Sequence, residues 1–399
     1  MFDIGSASIG ACVAAVEQEG VRILWSSRAE YAQAATQTYG EYVGRMKAAL
    51  QYLSQEVAQT GMRIAARNNT FSANCVFSAA VLSAPWSSSQ SSTVALRFPG
   101  EKTIDQHTLD MLAQKAHAQN MESDALALWK EQMGGSVSPI ELMLTHVCVD
   151  GYAYAVSQER PLPRVRGSEL FVTAHTAMAP SEPLEAIRAV LRTHSTKGGE
   201  KGLYARSSVL LEGVGSRFRK EFLGNASLCA VILGEHMTEL VGLRNGAVVA
   251  EHVVPYGVYH LLRATQGGAG VENDTPPKTE ILWSTVSAYS VDPQHILAQV
   301  PEHFSRAVLH WQDMVREGMR AMWKGVAPSG RVLLYADSRI APYCMAAFEH
   351  IDASHIPKRY SAVHVPYTVT QKKQGLQAMQ DARIQYLVAQ IAHHVQGGV

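Results

Sequence analysis

The chain opens as short apolar runs separated by turn-forming residues. Phe2 to Ile4 is apolar, Gly5 to Ser8 a turn, Ile9 to Val16 a second run, Glu17 to Gly20 another turn, and Val21 to Trp25 a third run. Runs of this length between Gly and Ser clusters predict strands. Tyr42, Val43, Met46, Leu50, Leu53 and Val57 then recur at steps of three and four. That spacing predicts a helix with one buried stripe. Cys75 to Leu82 predicts a further strand, closed by Ser83-Ala84-Pro85.

The Ser/Gln-rich stretch from Trp86 to Ser92 reads as a connection and marks a subdomain boundary. Beyond it come a strand at Thr93 to Phe98, a helix from about Asp105 into the 120s, and strands at Ile140 to Val149 and Leu170 to His175. Together they predict a small α/β unit. A helix from about Pro183 to Thr193 returns the chain to the first body. The glycines of Lys197 to Gly202 lack the GxxxxGK[ST] order of a Walker phosphate loop.

The segment after residue 227 repeats the opening. Leu228 to Leu233 predicts a strand interrupted by Gly234, Thr238 to Leu243 a second, and Ala247 to Val254 a third, with Asn245-Gly246 as a hairpin signal between the last two. A helix starts near Val258. Strand, glycine, strand, turn, strand and helix therefore occur twice. Such duplication predicts two similar α/β lobes with a cleft between them. Later elements are a loop from Gly267 to Pro277, a helix from about Pro301 to Trp323, a strand from Arg331 to Tyr335 and a helix from near Ile340. A final helix carries Leu376, Met379, Leu387, Ile391 and Val395 near one face. Few basic residues lie on it, which predicts a docked core helix.

Composition narrows the function classes. With 35 Lys and Arg against 35 Asp and Glu in 399 residues, the net charge is zero. Nucleic acid as the main partner has no electrostatic support. The five cysteines at 12, 75, 148, 229 and 344 form no CxxC pair, so neither a disulfide framework nor a zinc site is expected. Cys12, Cys148 and Cys229 lie in apolar runs and read as small core residues. No secretory leader and no membrane-spanning run is visible, so a cytoplasmic protein is expected.

Three segments carry a resemblance. Phe2-Asp3-Ile4-Gly5-Ser6-Ala7-Ser8-Ile9-Gly10 has an Asp-x-Gly-Ser core after the first strand. Val231 to Leu240 stands in the same place in the second half. Val332-Leu333-Leu334 leads into Tyr335-Ala336-Asp337-Ser338-Arg339-Ile340. They resemble the two phosphate loops and the adenosine loop of the actin-like ATPase superfamily, and the inserted α/β unit resembles that of its PilM/FtsA group. The resemblance spans nearly the whole chain.

It implies a duplicated actin-like, ribonuclease H-like fold of two lobes with a small inserted α/β subdomain. Residues 1–91 and 179–222 would form the first lobe, with helix 374–396 docked on it. Residues 92–178 would be the insertion, and 223–373 the second lobe, with 262–329 as its outer subdomain. The implied cofactors are ATP and Mg2+. Asp3, Gly5, Ser6, Ala7, Gly234, Glu235, Thr238, Ala336 and Ser338 would line the nucleotide site, with Asp3 as metal ligand. Gly5 permits close approach of backbone to phosphate, Ser6 and neighbouring N–H groups cradle its oxygens, and a carboxylate suits magnesium.

The same loops depart from the family pattern. Ile232 replaces an aspartate, Glu235 and His236 replace two glycines, and Tyr335-Ala336 replaces a glycine pair. The expected activity is accordingly weak or absent hydrolysis. The reading favoured by the lack of a basic amphipathic tail is a PilM-like scaffold for type IV pilus assembly. It would sit at the inner face of the cytoplasmic membrane and bind the cytoplasmic tail of a PilN-like inner-membrane protein, with self-association as a further property. The alternatives are an FtsA-like division protein that polymerises at the membrane and a kinase-like phosphotransferase.

Overall fold

A computed structural model describes residues 1–17, 20–31, 38–68, 77–154, 164–195, 200–209, 227–244, 247–265, 296–323, 331–337, 339–349 and 361–364, with 387 and 391. The chain begins with β1 (Phe2–Ile4), β2 (Ser8–Glu17), β3 (Gly20–Glu30), α1 (Tyr39–Glu56), a π-type turn (Val57–Gly61) and α2 (Met62–Asn68). It continues with β4 (Phe77–Leu82), β5 (Ser88–Ile104), α3 (Gln106–Met121), α4 (Asp124–Gln132), β6 (Val137–Val149) and β7 (Tyr152–Tyr154). β8 (Val165–Pro180), α5 (Ser181–His194) and β9 (Glu200–Ala205) follow. The last part holds β10 (Ser227–Leu233), β11 (Thr238–Arg244), β12 (Ala247–Val254), α6 (Val258–Ala264), α7 (Glu302–Met322), β13 (Arg331–Tyr335), α8 (Ala341–Glu349) and β14 (Ser361–His364). The Asn245-Gly246 turn, the 267–277 loop and helix 374–396, save residues 387 and 391, lie outside the described residues.

Two compact units result. The first comprises Met1–Ala73, Ser227–Gly242 and Glu251–Ala389, and the second Asn74–Ala226, Leu243–Ala250 and Gln390–Val399.

In the first unit, β1, β2 and β3 form an antiparallel meander. α1 starts at a capping box, with the Thr38 hydroxyl accepting from Glu41 N and the Glu41 carboxylate accepting from Thr38 N. It buries the expected stripe of Val43, Met46, Leu50 and Leu53. The later sheet runs in the order β12-β11-β10-β13-β14, with β13 parallel to both neighbours. α7 covers it with Phe304, Val308, Trp311, Val315 and Met319, spaced as one apolar face of a helix. Gly318 lets that helix approach closely, because a Cβ there would lie 2.7 Å from both Leu240 Cδ1 and His252 Cδ2.

The duplication read from the sequence is present in the element order. β1-β2-β3 and β10-β11-β12 are each followed by a helix. Both first turns close with the same bond, Gly5 N to Ser8 O and Gly234 N to Met237 O, each at 2.9 Å.

In the second unit, β4 and β9 pair in parallel, and a separate sheet runs β5-β8-β6-β7. α3, capped by Asp105 accepting from Thr108 N, buries Leu109, Leu112 and Ala116 on it. The expected connection at Trp86 to Ser92 is instead largely strand, since β5 begins at Ser88 and pairs with β8 from Met178 onward. Its polar residues are used in bonds: Thr93 pairs across the sheet with Thr173 at 2.8 Å and Ser91 with His175 Nδ1 at 3.1 Å, while Ser92 donates to Asn120 Oδ1 of α3 at 2.6 Å. Cys12 and Cys229 are buried as expected, while Cys148 is half-buried.

His175 has no solvent exposure, and burial pushes its imidazole down from 6.5 to about 4. The unfolded chain takes up a proton near 6.5, whereas the folded chain resists it until about 4. Protonation thus favours the unfolded chain throughout that window, so this contribution to stability is complete above 6.5 and is lost as pH falls towards 4. Denaturant titrations across the window should show a shallower loss for His175→Gln than for the parent. Equal slopes would contradict the assignment.

Candidate functional site

The site lies in the first unit, and strand register builds it. Asp3 of β1 pairs with Gly10 of β2, and Gly10 pairs with Arg28 of β3. Residues directly opposite share a face, so Asp3, Gly10 and Arg28 form one row across about 10 Å of sheet. Gly10 has no side chain to stand between the other two. The Arg28 guanidinium therefore crosses β2, and its Nη2 donates to Asp3 Oδ2 at 3.0 Å. Asp3 is fully buried and Arg28 is 24% exposed. Ser8 and its partner Glu30 occupy the next row on the same face.

Tyrosines hold the first turn in place. Tyr31 OH donates to Gly5 O, Tyr42 OH to Ser6 O, and Tyr31 N to Ala7 O. The second turn is held by its own helix: Val258 N donates to Gly234 O at 2.9 Å and Tyr259 N to Glu235 O at 2.8 Å. Gly257 is required at this junction, since a Cβ there would stand 2.5 Å from Glu235 O. Thr238 is buried, its hydroxyl donating to Tyr256 O at 2.6 Å and accepting from Trp311 Nε1 at 3.0 Å.

The two turns meet directly. His236 N donates to Ser6 Oγ at 3.2 Å. Ser8 Oγ donates to Glu235 Oε1 at 2.9 Å, and Arg28 Nη1 lies 3.6 Å from the same oxygen and donates to Ser8 Oγ. Arg28 thus pairs with a carboxylate on the strand before the first turn and with one in the second turn. Tyr259 adds a link to the next row, with its hydroxyl donating to Glu30 Oε1 at 3.3 Å. Burial, then the Glu235 and Glu30 carboxylates, push that phenol far up, so it stays protonated. The His236 ring packs edge-on to Tyr259, and burial pushes its imidazole down to about 4 despite the opposing pull of Glu235.

Seven of the nine residues expected at a nucleotide site belong to these turns or their flanks: Asp3, Gly5, Ser6, Ala7, Gly234, Glu235 and Thr238. Ala336 is fully buried in the core of the unit, and Ser338 lies outside the described residues. A magnesium–nucleotide complex does not fit the arrangement. The Asp3 oxygen expected to bind metal is held by a guanidinium, the Gly5 and Gly234 N–H groups are spent within their own turns, and Ser6 and Ser8 hydroxyls bond to the opposite turn. Among the described residues, no three His, Cys, Asp or Glu side chains are arranged to hold a metal. Arg28, Tyr31 and Tyr259 went unnoticed in the sequence, and Tyr42 was read only as part of the buried stripe of a helix. The signal for Arg28 was slight: an arginine two strands away from the buried Asp3, with only a glycine between them.

No family model matches the chain, and no curated protein matches it. Solved structures do. The PilM–PilN type IV pilus biogenesis complex is similar over 86% of this chain and 83% of that one, at a TM-score of 0.51 and 11% identity. The ethanolamine utilization protein EutJ from Carboxydothermus hydrogenoformans is similar over 98% and 88%, at a TM-score of 0.44 and 11% identity. A Bacteroides thetaiotaomicron protein described as having an actin-like ATPase fold and unknown function is similar over 66% and 72%, at a TM-score of 0.29 and 6% identity. The chain has the mixed α/β architecture of the actin-like ATPase fold. At such identities the likeness speaks to fold alone.

Arg28→Met should leave the Asp3 carboxylate buried without its guanidinium and lower unfolding free energy by about 3 kcal/mol, the low end for a broken buried pair because Arg28 is part-exposed. Chemical denaturation checks it, and a loss below about 1 kcal/mol, the range of a surface pair, would contradict the role given to Arg28.

Proposed function

We propose that this chain is a PilM-like scaffold in which the former nucleotide site is filled by the protein itself. The observation that carries the reading is the Glu235 carboxylate seated between Ser8 and Arg28. A phosphoryl-transfer enzyme needs donors aimed at substrate phosphate and a metal to neutralise it. This site spends those donors internally, which speaks against the phosphotransferase and for a role in recruiting partners.

The partner class proposed is supported by the similarity in fold to the PilM–PilN complex. The chain would work in type IV pilus assembly at the inner face of the cytoplasmic membrane, binding the cytoplasmic tail of a PilN-like inner-membrane protein and self-associating there. No helix among the described residues is long and apolar enough to cross a membrane, so attachment through a partner suits this role. The lobe boundaries 1–91 with 179–222, 92–178 and 223–373 are part of the proposal, supported by the repeated three-strand opening.

The test is a titration of the full chain with a labelled peptide covering the cytoplasmic tail of the PilN-like protein from the same organism, with and without MgATP. Saturable binding near 1 μM, about −8 kcal/mol, unchanged by nucleotide, is the expected result. Absent tail binding together with ATP-driven assembly on vesicles would overturn it in favour of an FtsA-like protein.

A further inference from the structure

We propose that Glu235 is a tethered anion, and that the pocket it fills binds a small oxyanion of the phosphate class once that carboxylate is taken away. The inference rests on the reading of the nucleotide site as filled by the protein itself, but not on the identity of the partner.

Three features of the geometry support it. The surroundings of Glu235 Oε1 are those an anion requires, a hydroxyl donor at 2.9 Å and a guanidinium nitrogen at 3.6 Å. Arg28 is held independently of Glu235, because Asp3 grips Nη2 from the opposite side at 3.0 Å. Removal of the Glu235 carboxylate therefore leaves Arg28 in place. Ser8 is fixed likewise, within a turn whose carbonyls at Gly5, Ser6 and Ala7 are tied to Tyr31 and Tyr42. The site is thus a prepared pair of donors with a carboxylate supplied on a short tether.

The tether explains why a free anion does not enter. Carboxylate and phosphate oxygens make the same demand for charge-assisted donors. A group linked through a few bonds acts at an effective concentration of millimolar or more. Glu235 is only 14% exposed, so an incoming anion must also displace a group already shielded from water. Cellular concentrations of phosphate or nucleotide then leave the joined turns undisturbed.

The experiment is thermal unfolding of the full chain in inorganic phosphate against chloride at equal ionic strength, backed by calorimetric titration. The parent should show no phosphate-specific shift at tens of millimolar. Glu235→Ala should melt lower in chloride and recover several degrees in phosphate. Glu235→Ala combined with Arg28→Met should lose the phosphate response. If Glu235→Ala is too unstable to purify, Glu235→Gln keeps the side-chain length without the charge and should show a smaller but measurable phosphate response. The proposal is overturned if the parent responds as strongly as the variants, or if neither single variant responds to phosphate. Tail-peptide binding reads the scaffold proposal separately, so each can fail alone.

Discussion

A carboxylate with no solvent exposure at the start of the first strand obliges the fold to deliver a cation to it. Asp3 is that carboxylate and Arg28 the cation. A buried charge without a partner costs several kcal/mol, so the geometry that brings the two together is under strong constraint. The constraint fixes the register of β1, β2 and β3 and requires the bare Gly10 between the pair. It also leaves the outer guanidinium nitrogen aimed at Glu235, across the gap between the two turns. One ion pair thereby sets both the N-terminal meander and its junction with the second repeat.

The fold was legible in the sequence because its signals are local. The strands at Ala247–Val254 and Arg331–Tyr335 and the helix beginning at Val258 fall where apolar runs and turn residues place them. The repeat of strand, glycine and strand was visible in the same way. The site was not legible, and the reason is a single bulge. Pairing outward from the β2–β3 turn matches Glu17 with Gly20 and Ala14 with Ile23, a register that would set Arg28 against the buried Ile9. Leu24 is an extra residue, so the register shifts and Val13 pairs with Trp25 and Gly10 with Arg28. A one-residue slip moves a side chain to the other face of a sheet. The metal role expected of Asp3 came from the family resemblance; its guanidinium partner was hidden by that slip and by a third apolar run that ends at Trp25, short of Arg28.

The loop departures read from the sequence have a common structural outcome. Glu235, which replaces a glycine of the family pattern, has its carboxylate seated between Ser8 and Arg28. His236 contributes its backbone N–H to Ser6 and its ring to Tyr259. The Glu235 side chain and the His236 backbone N–H thus bond one turn to the other. The turns are bonded to each other by the chain's own groups, so function is read from the site and not from the architecture.

The central claim is that the turns at Gly5–Ser8 and Gly234–Met237 are joined without a ligand. Amide hydrogen exchange of the nucleotide-free protein, followed at His236, tests it most directly, because that N–H is bonded only across the junction to Ser6. The account predicts that His236 exchanges as slowly as the neighbouring β10 amides and that MgATP changes nothing. Fast exchange that slows when MgATP is added would show the turns apart until a nucleotide joins them, and would contradict it.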